Sequence, residues 1–373
     1  MRSFLRAGFV LGLALMTACG KDSPSPVDFN DPAAVSSNLS SVDSTFDSDV
    51  FRSFNAAALF LDAAQPSIRP TASLIQTLRP KLERTGAHVF LPGLLQARKL
   101  QADIPNLNVS AAQGRLIPDS MYGRVFEWDT AANAYSYQGT TVSNLNGVRF
   151  VLYALGLDGE VFEPVTAIGT LDIIDQSTPS QLQMHVLVRN SAGTATFVDY
   201  TAALQASQTA VNATVTGSIS NGRTSPDDKT LSFDQTFNAN AGGASVHATF
   251  ALNDPAITVM LNESVTFNDP NITVNADFRL IQNGETVRAV GRIVINTLTQ
   301  DVQVHVTVYV DGHPVASIDG DPSDPGTQWV DAGGEPLTVQ DLAALDDLFD
   351  AIEHFDAAVA GLFAPIGTFT GAL

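Results

Sequence analysis

The chain is predicted to be mainly β: a large curved antiparallel meander sheet or partial barrel, with N-terminal helices and one C-terminal amphipathic helix. Three observations carry that prediction. After Tyr122, apolar and polar residues alternate over long runs such as "ITVNADFRLI" and "VQVHVTVYV", the period of a half-buried strand. Asn146-Gly147, Asp158-Gly159, Asn221-Gly222, Asn283-Gly284 and Asp311-Gly312 punctuate these runs, and short turns of this chemistry join only antiparallel neighbours. Towards both ends the apolar period shifts to that of a helix.

Residues 1–18 read as a secretory signal peptide. Arg2 and Arg6 make a positive start, Ala7 to Met16 is an uninterrupted apolar run, and Thr17-Ala18 are small. The run is too short to span a bilayer core, which needs about 20 residues in a helix. It ends at "MTAC", whose Cys19 is the single cysteine of the chain. This stretch resembles the lipobox of a bacterial lipoprotein precursor, with Met16 where Leu is commoner. The resemblance covers the leader and nothing of the mature domain. It implies that Cys19 becomes the first residue, diacylated on sulfur and acylated on its amine. Each buried CH₂ of an acyl chain is worth about 0.8 kcal/mol and stable anchoring takes more than one chain, so this anchor would hold the protein on a membrane without a spanning helix. The implied location is the bacterial cell envelope. Gly20-Lys21 lacks the Asp that retains some enterobacterial lipoproteins in the inner membrane, which favours the outer one. An ordinary signal peptide ending near a cysteine is the alternative.

With Cys19 used as an anchor, the mature chain has no thiol, so disulfides, thiolate metal sites and cysteine nucleophiles are excluded. The chain carries 19 basic and 39 acidic residues, a formal charge of −20. That balance opposes nucleic acid and anionic lipid surfaces as partners. The charges are unevenly placed. Arg69, Arg79, Lys81, Arg84, Arg98 and Lys99 cluster against Glu83 alone, whereas no basic residue follows Arg292. The basic segment is therefore expected to dock near the acidic C-terminal helix.

Residues 19–46, rich in Ser, Asp, Asn and Pro, read as a flexible tether. Residues 47–120 form a helical and irregular N-terminal segment: Val50, Phe51, Phe54, Ala58 and Leu61 recur at helical spacing between Ser48 and Pro66, and a weaker helix is predicted from Thr71 to Arg79. Residues 121–335 are the meander, of about thirteen strands. Residues 336–373 form the C-terminal helix and tail, with Thr338 and Asp341 as a capping box and Leu342, Leu345, Leu348, Phe349 and Ile352 in one stripe. Residues 47–373 are expected to make one domain.

The aliphatic face of such a sheet measures about 2,000 Å² at about 4.8 Å per strand. A helix of about 24 residues hides roughly 400 Å² of it. The sheet must therefore curl, fold into layers, or keep an apolar groove. Alternation is also the pattern of an outer-membrane barrel, but the acidic helix after the last strand, the two Trp and six Tyr, and the lipoprotein-like start count against that reading.

Chemistry is sparse. No G-x-S-x-G, H-E-x-x-H, Walker loop or G-x-G-x-x-G after a strand is present, and no enzyme activity is expected. His185, His247 and His305 fall on polar faces and read as solvated. Glu263 lies in the apolar row of "AITVMLNESVTF", either as a buried carboxylate or turned outward by a β-bulge at Asn262–Ser264, the simpler reading. Asp319, Asp321 and Asp324 in "SIDGDPSDPG" offer oxygen ligands for calcium, without an EF-hand frame; an ion-free acidic turn is simpler.

Two functions fit. In the first, the apolar rows Ile257, Val259, Leu261 and Ile272, Val274, Phe278 line a groove that holds a hydrophobic ligand. In architecture alone this resembles envelope lipoprotein carriers with a half-barrel and helical lid. In the second, a structural or surface-interaction lipoprotein has a fully packed core and no ligand, and its Thr/Asn-rich face meets a protein partner.

Overall fold

A computed structural model of the protein describes Val50, residues 115–346 apart from 157–160, 162–163, 208 and 283, and Phe349. The segments expected to be a signal peptide, a tether and, apart from Val50, two N-terminal helices, together with Cys19, the basic cluster and most of the C-terminal segment, lie outside the described residues.

Strand formation follows the alternation. The first strands are β1 (Arg124–Asp129), β2 (Ala134–Thr141), β3 (Gly147–Tyr153), β4 (Ala167–Asp175), β5 (Leu182–Asn190), β6 (Thr196–Ala206) and β7 (Ala210–Ser220). They continue as β8 (Thr230–Asn240), β9 (Gly243–Leu252), β10 (Ile257–Asn268), β11 (Asn271–Gln282) and β12 (Glu285–Asn296). The series ends with β13 (Val302–Val310), β14 (His313–Gly320) and β15 (Val330–Asp331). Together they form one 15-stranded sheet whose order runs from β15 back to β3 and then to β1 and β2, so that β2 and β15 are its two end strands. Two strands exceed what alternation predicts, because β15 has two residues and β2 (AYSYQGTT) has no aliphatic face.

Every neighbouring pair is antiparallel except one: β1 lies parallel to β3, between β3 and its own hairpin partner β2. Asn146-Gly147 therefore makes no hairpin. Gly147 is buried inside β3, where a Cβ would strike the Ile173 carbonyl. Asn221-Gly222 likewise opens a long connection to β8; the Asn221 side chain clamps it by donating to the Asp227 carbonyl at 2.9 Å and accepting from the Lys229 N–H at 3.2 Å. Asp311-Gly312 is the two-residue turn expected, with φ of 49° and 81°. Gln282 pairs with Glu285, so the Asn283-Gly284 connection is also two residues long. Asp158-Gly159 lies outside the described residues.

From β6 to β13 the ladders run without a register shift. One face of this platform is then mainly aliphatic, interrupted by Glu263, and the other mainly polar. Most of the aliphatic face joins one core running from Val148 and Phe150 to Val308 and Ile318, which includes Val50, Trp329, Leu345 and Phe349, while Val211, Phe237 and Ala239 form a second, smaller cluster. Tyr200 sits opposite Gly217, where a Cβ would strike the tyrosine's own backbone and Cβ. Tyr200, Phe233 and Phe250 follow one another across the sheet with centroids 6.1 and 6.3 Å apart.

At the other end Asp175 fastens the entering chain. Its Oδ2 accepts the N–H groups of Leu116 and Ile117 at 2.7 and 2.9 Å, and its Oδ1 accepts the Ser177 N–H at 2.9 Å. Burial raises the Asp175 carboxyl's pKa, but bonds from the Ile117 N–H, the Ser177 hydroxyl and N–H and the Leu116 N–H outweigh it, and the net shift is downward.

The C-terminal helix is described over 339–346 and at Phe349. Thr338 and Asp341 cap it as expected: the Asp341 N–H donates to Thr338 Oγ1 at 3.3 Å, and the Thr338 N–H donates to Asp341 Oδ2 at 3.1 Å. Its packing begins one turn later than the stripe predicts. Leu345 and Phe349 are buried, Phe349 against Trp329 at 5.9 Å, while Leu342 in the first turn is exposed. Among the described residues no helix is long and apolar enough to cross a membrane.

Candidate functional site

The two aliphatic rows singled out from sequence lie side by side on β10 and β11, joined at Asp269-Pro270. Val259 pairs with Leu280, Leu261 with Phe278, Val265 with Val274 and Phe267 with Ile272. Ile257, Val259, Ile272, Val274 and Phe278 are each 2 % exposed, and Leu261 packs against them half-buried. These residues are thus brought together, inside the core.

Glu263 occupies the same face. No bulge turns it outward: Asn262, Glu263 and Ser264 pair one-to-one with both β9 and β11. Its side chain is 7 % exposed. Val246 stands beside it on β9, Ala276 on β11 and Gly291 on β12. Two small residues next to a long one let the carboxylate lie within the layer.

The opposite face carries an open groove of about 470 Å³ over β8–β13. Register sets its floor. Asn238, Ser245, Ser264, Asn275, Arg292 and His305 follow one another across six strands, one residue from each. The adjacent row contributes His247, whose Nδ1 lies 2.5 Å from Asn262 Oδ1, and Asp277. Asn275 Nδ2 donates to Ser264 Oγ at 3.4 Å.

Asp277 is the electrostatic hinge of this groove. Arg288 binds it bidentately, Nε to Oδ1 at 2.7 Å and Nη2 to Oδ2 at 2.8 Å, and Arg279 Nη2 donates to Oδ2 at 2.9 Å. Burial opposes ionisation of Asp277, yet the bonds and charges of Arg288 and Arg279 overcome it and pull its pKa down to about 2. Elsewhere on this face Arg149 pairs bidentately with the buried Asp172 at 2.5 and 2.6 Å, and Arg189 approaches the same carboxylate at 3.6 Å. Arg292, between Asn275 and His305, has no aspartate or glutamate partner among the described residues.

The three aspartates weighed as calcium ligands do not converge. Asp319 faces His305 at 3.7 Å, Asp321 accepts the Ser323 N–H and Asp324 accepts the Gly326 N–H. Among the described residues no three His, Cys, Asp or Glu side chains group as a metal set. The three histidines sit on separate, non-adjacent strands, and His185 pairs with Asp199 at 2.7 Å.

The polar groove went unnoticed in sequence because each member is an ordinary solvent-side residue of its own strand. Only register places Arg292 beside Asn275 and His305. The one legible signal was Arg292 itself, the last basic residue before a wholly acidic stretch. The chain matches no known protein family, no characterised protein and no solved structure, so its geometry alone carries the functional reading.

Proposed function

We propose that the protein is a non-enzymatic lipoprotein of the bacterial envelope, acylated at Cys19 and standing on the outer membrane, that works through the polar face of its sheet. In this reading the sheet curls so that its aliphatic face forms a packed core, and the face opposite meets the partner. One observation carries the choice: the aliphatic rows of β10 and β11 are buried while the open groove lies on the polar side. An apolar carrier needs uncovered apolar surface, and a filled core leaves no room for a ligand. The second reading, a carrier whose hydrophobic ligand lies along Ile257, Val259, Leu261, Ile272, Val274 and Phe278, draws on the small residues Ala276 and Gly291 beside Glu263.

Native mass spectrometry of the full chain, followed by lipid extraction, separates the two. The packed reading expects no lipid beyond the covalent acyl chains; a stoichiometric extractable lipid would replace it with the carrier. The anchor has its own test. Metabolic labelling with a clickable fatty acid should mark the wild type and leave Cys19→Ser unmarked, and label retained by the Ser variant would remove the anchor.

A further inference from the structure

We propose that the basic segment of residues 80–100 of this chain docks on the aliphatic face of the sheet and delivers a lysine or arginine to Glu263. The inference rests on the packed-core reading, and it names what fills that core.

Glu263 calls for a cation. It is 7 % exposed in the apolar row of β10, and its sheet neighbours Val246, Ala276 and Gly291 carry no charge. A carboxylate at that depth is paired, because an isolated one loses its hydration without compensation. Glu263 is engaged rather than free, yet the described arginines nearby serve the opposite face. Arg279 and Arg288 hold Asp277, and Arg292 follows Asn275 in the polar row. A lysine or arginine can cross an apolar layer on its methylene stem, and the small Ala276 and Gly291 give that stem room beside the carboxylate.

Composition selects the segment. Residues 22–49 contain no Lys or Arg, and neither does the chain after Arg292, where Asp350, Glu353 and Asp356 add charge of the wrong sign. Residues 80–100, "PKLERTGAHVFLPGLLQARKL", hold Lys81, Arg84, Arg98 and Lys99, four of the seven basic residues between 51 and 114, against the single acid Glu83. Val89, Phe90, Leu91, Leu94 and Leu95 give the same segment an apolar body suited to the aliphatic face. The chain can reach. Val50 lies in the core, its Cγ1 3.4 Å from where a Cβ on Gly169 of β4 would stand, and Leu116 and Ile117 are fastened to Asp175 of the same strand. The intervening residues therefore leave the sheet at β4 and return to it there. β10 lies six strands away, roughly 29 Å at about 4.8 Å per strand. About 30 residues lead from Val50 to Pro80, about 45 Å even if wholly helical, and about 16 lead back from Leu100, up to about 50 Å extended. Leu345 and Phe349 join the same core, so docking at Glu263 also keeps the basic segment on the side of the acidic C-terminal helix.

The test is hydrogen exchange read by mass spectrometry on the full chain in mild detergent. In the wild type, residues 80–100 should be protected. Glu263→Lys should speed their exchange at least tenfold while β4 and β5 keep their protection, and Thr266→Lys, on the exposed face of the same strand, should change nothing. Adding a Glu at one of the positions 81, 84, 98 or 99 should restore protection to Glu263→Lys. Should Glu263→Lys fail to fold, the near-isosteric Glu263→Gln is combined with Gln at each of those four positions and read by thermal melting. At one position the single change should lower the midpoint about as far as Glu263→Gln does, and the pair should lower it no further. Exchange of residues 80–100 at the rate of an unfolded peptide in the wild type would overturn the proposal. So would undiminished protection in a folded Glu263→Lys, or additive effects at all four positions. Extractable lipid and the acyl label at Cys19 are read separately, so failure here leaves the anchored, packed-core reading to its own tests and means only that something other than residues 80–100 fills the layer.

Discussion

Val259→Trp distinguishes a filled core from a cavity. Val259 is 2 % exposed and is flanked directly by Phe250 on β9 and Leu280 on β11, themselves 2 % and 1 % exposed. Phe250 in turn continues the Tyr200–Phe233 aromatic file, so it cannot yield without disturbing the next strands. If this layer is close-packed, an indole forced into it must displace its neighbours. Overpacking of a close-packed core costs about 1–3 kcal/mol. For a domain of about 150–250 residues each kcal/mol lowers the melting midpoint by about 2–4 °C, which predicts a loss of about 2–12 °C. The measurement is thermal unfolding by circular dichroism, with Thr266→Trp on the exposed face of the same strand as control. That control should stay within about 0.5 kcal/mol of wild type. A Val259→Trp protein as stable as the control would mean that the row faces open volume, and the packed-core reasoning would fail.

Two further outcomes follow from the polar groups. Asp175→Ala removes the acceptor for the Leu116 and Ile117 N–H groups and should cost about 2–5 kcal/mol, since charge-assisted bonds are worth about 1.5–3 kcal/mol each and do not add fully; hydrogen exchange should show residues 115–122 released first, and uniform loss of protection across the sheet would refute the anchoring role. Asp277 has a folded pKa of about 2, below its ordinary value, so its contribution is present above about pH 4 and disappears as pH falls towards 2. The side chain is partly exposed, and solvent screening holds the effect to about 1 kcal/mol or less. Asp277→Asn should flatten that acid limb in a stability–pH titration; an unchanged limb would assign the acid sensitivity to other carboxylates, Asp175 foremost.

Strand identity and face were legible from residues alone, because a strand's side chains alternate whatever their neighbours are. "ITVNADFRLI" specifies which residues of β11 are buried without reference to any other segment. The Thr338–Asp341 cap and the Asp311-Gly312 turn were legible for the same reason: both are contacts between residues close in the chain. What required the tertiary structure was everything set between strands. Asn146-Gly147 has hairpin chemistry, yet insertion of β1 between β2 and β3 puts Gly147 inside a strand. Glu263 reads locally as a residue too polar for its row, and only the neighbouring Ala276 and Gly291, distant in sequence, make space for it. Arg292, Asn275 and Ser264 share a groove because two ladders hold register without a shift. Alternation determines which face a side chain takes; pairing alone decides what stands beside it.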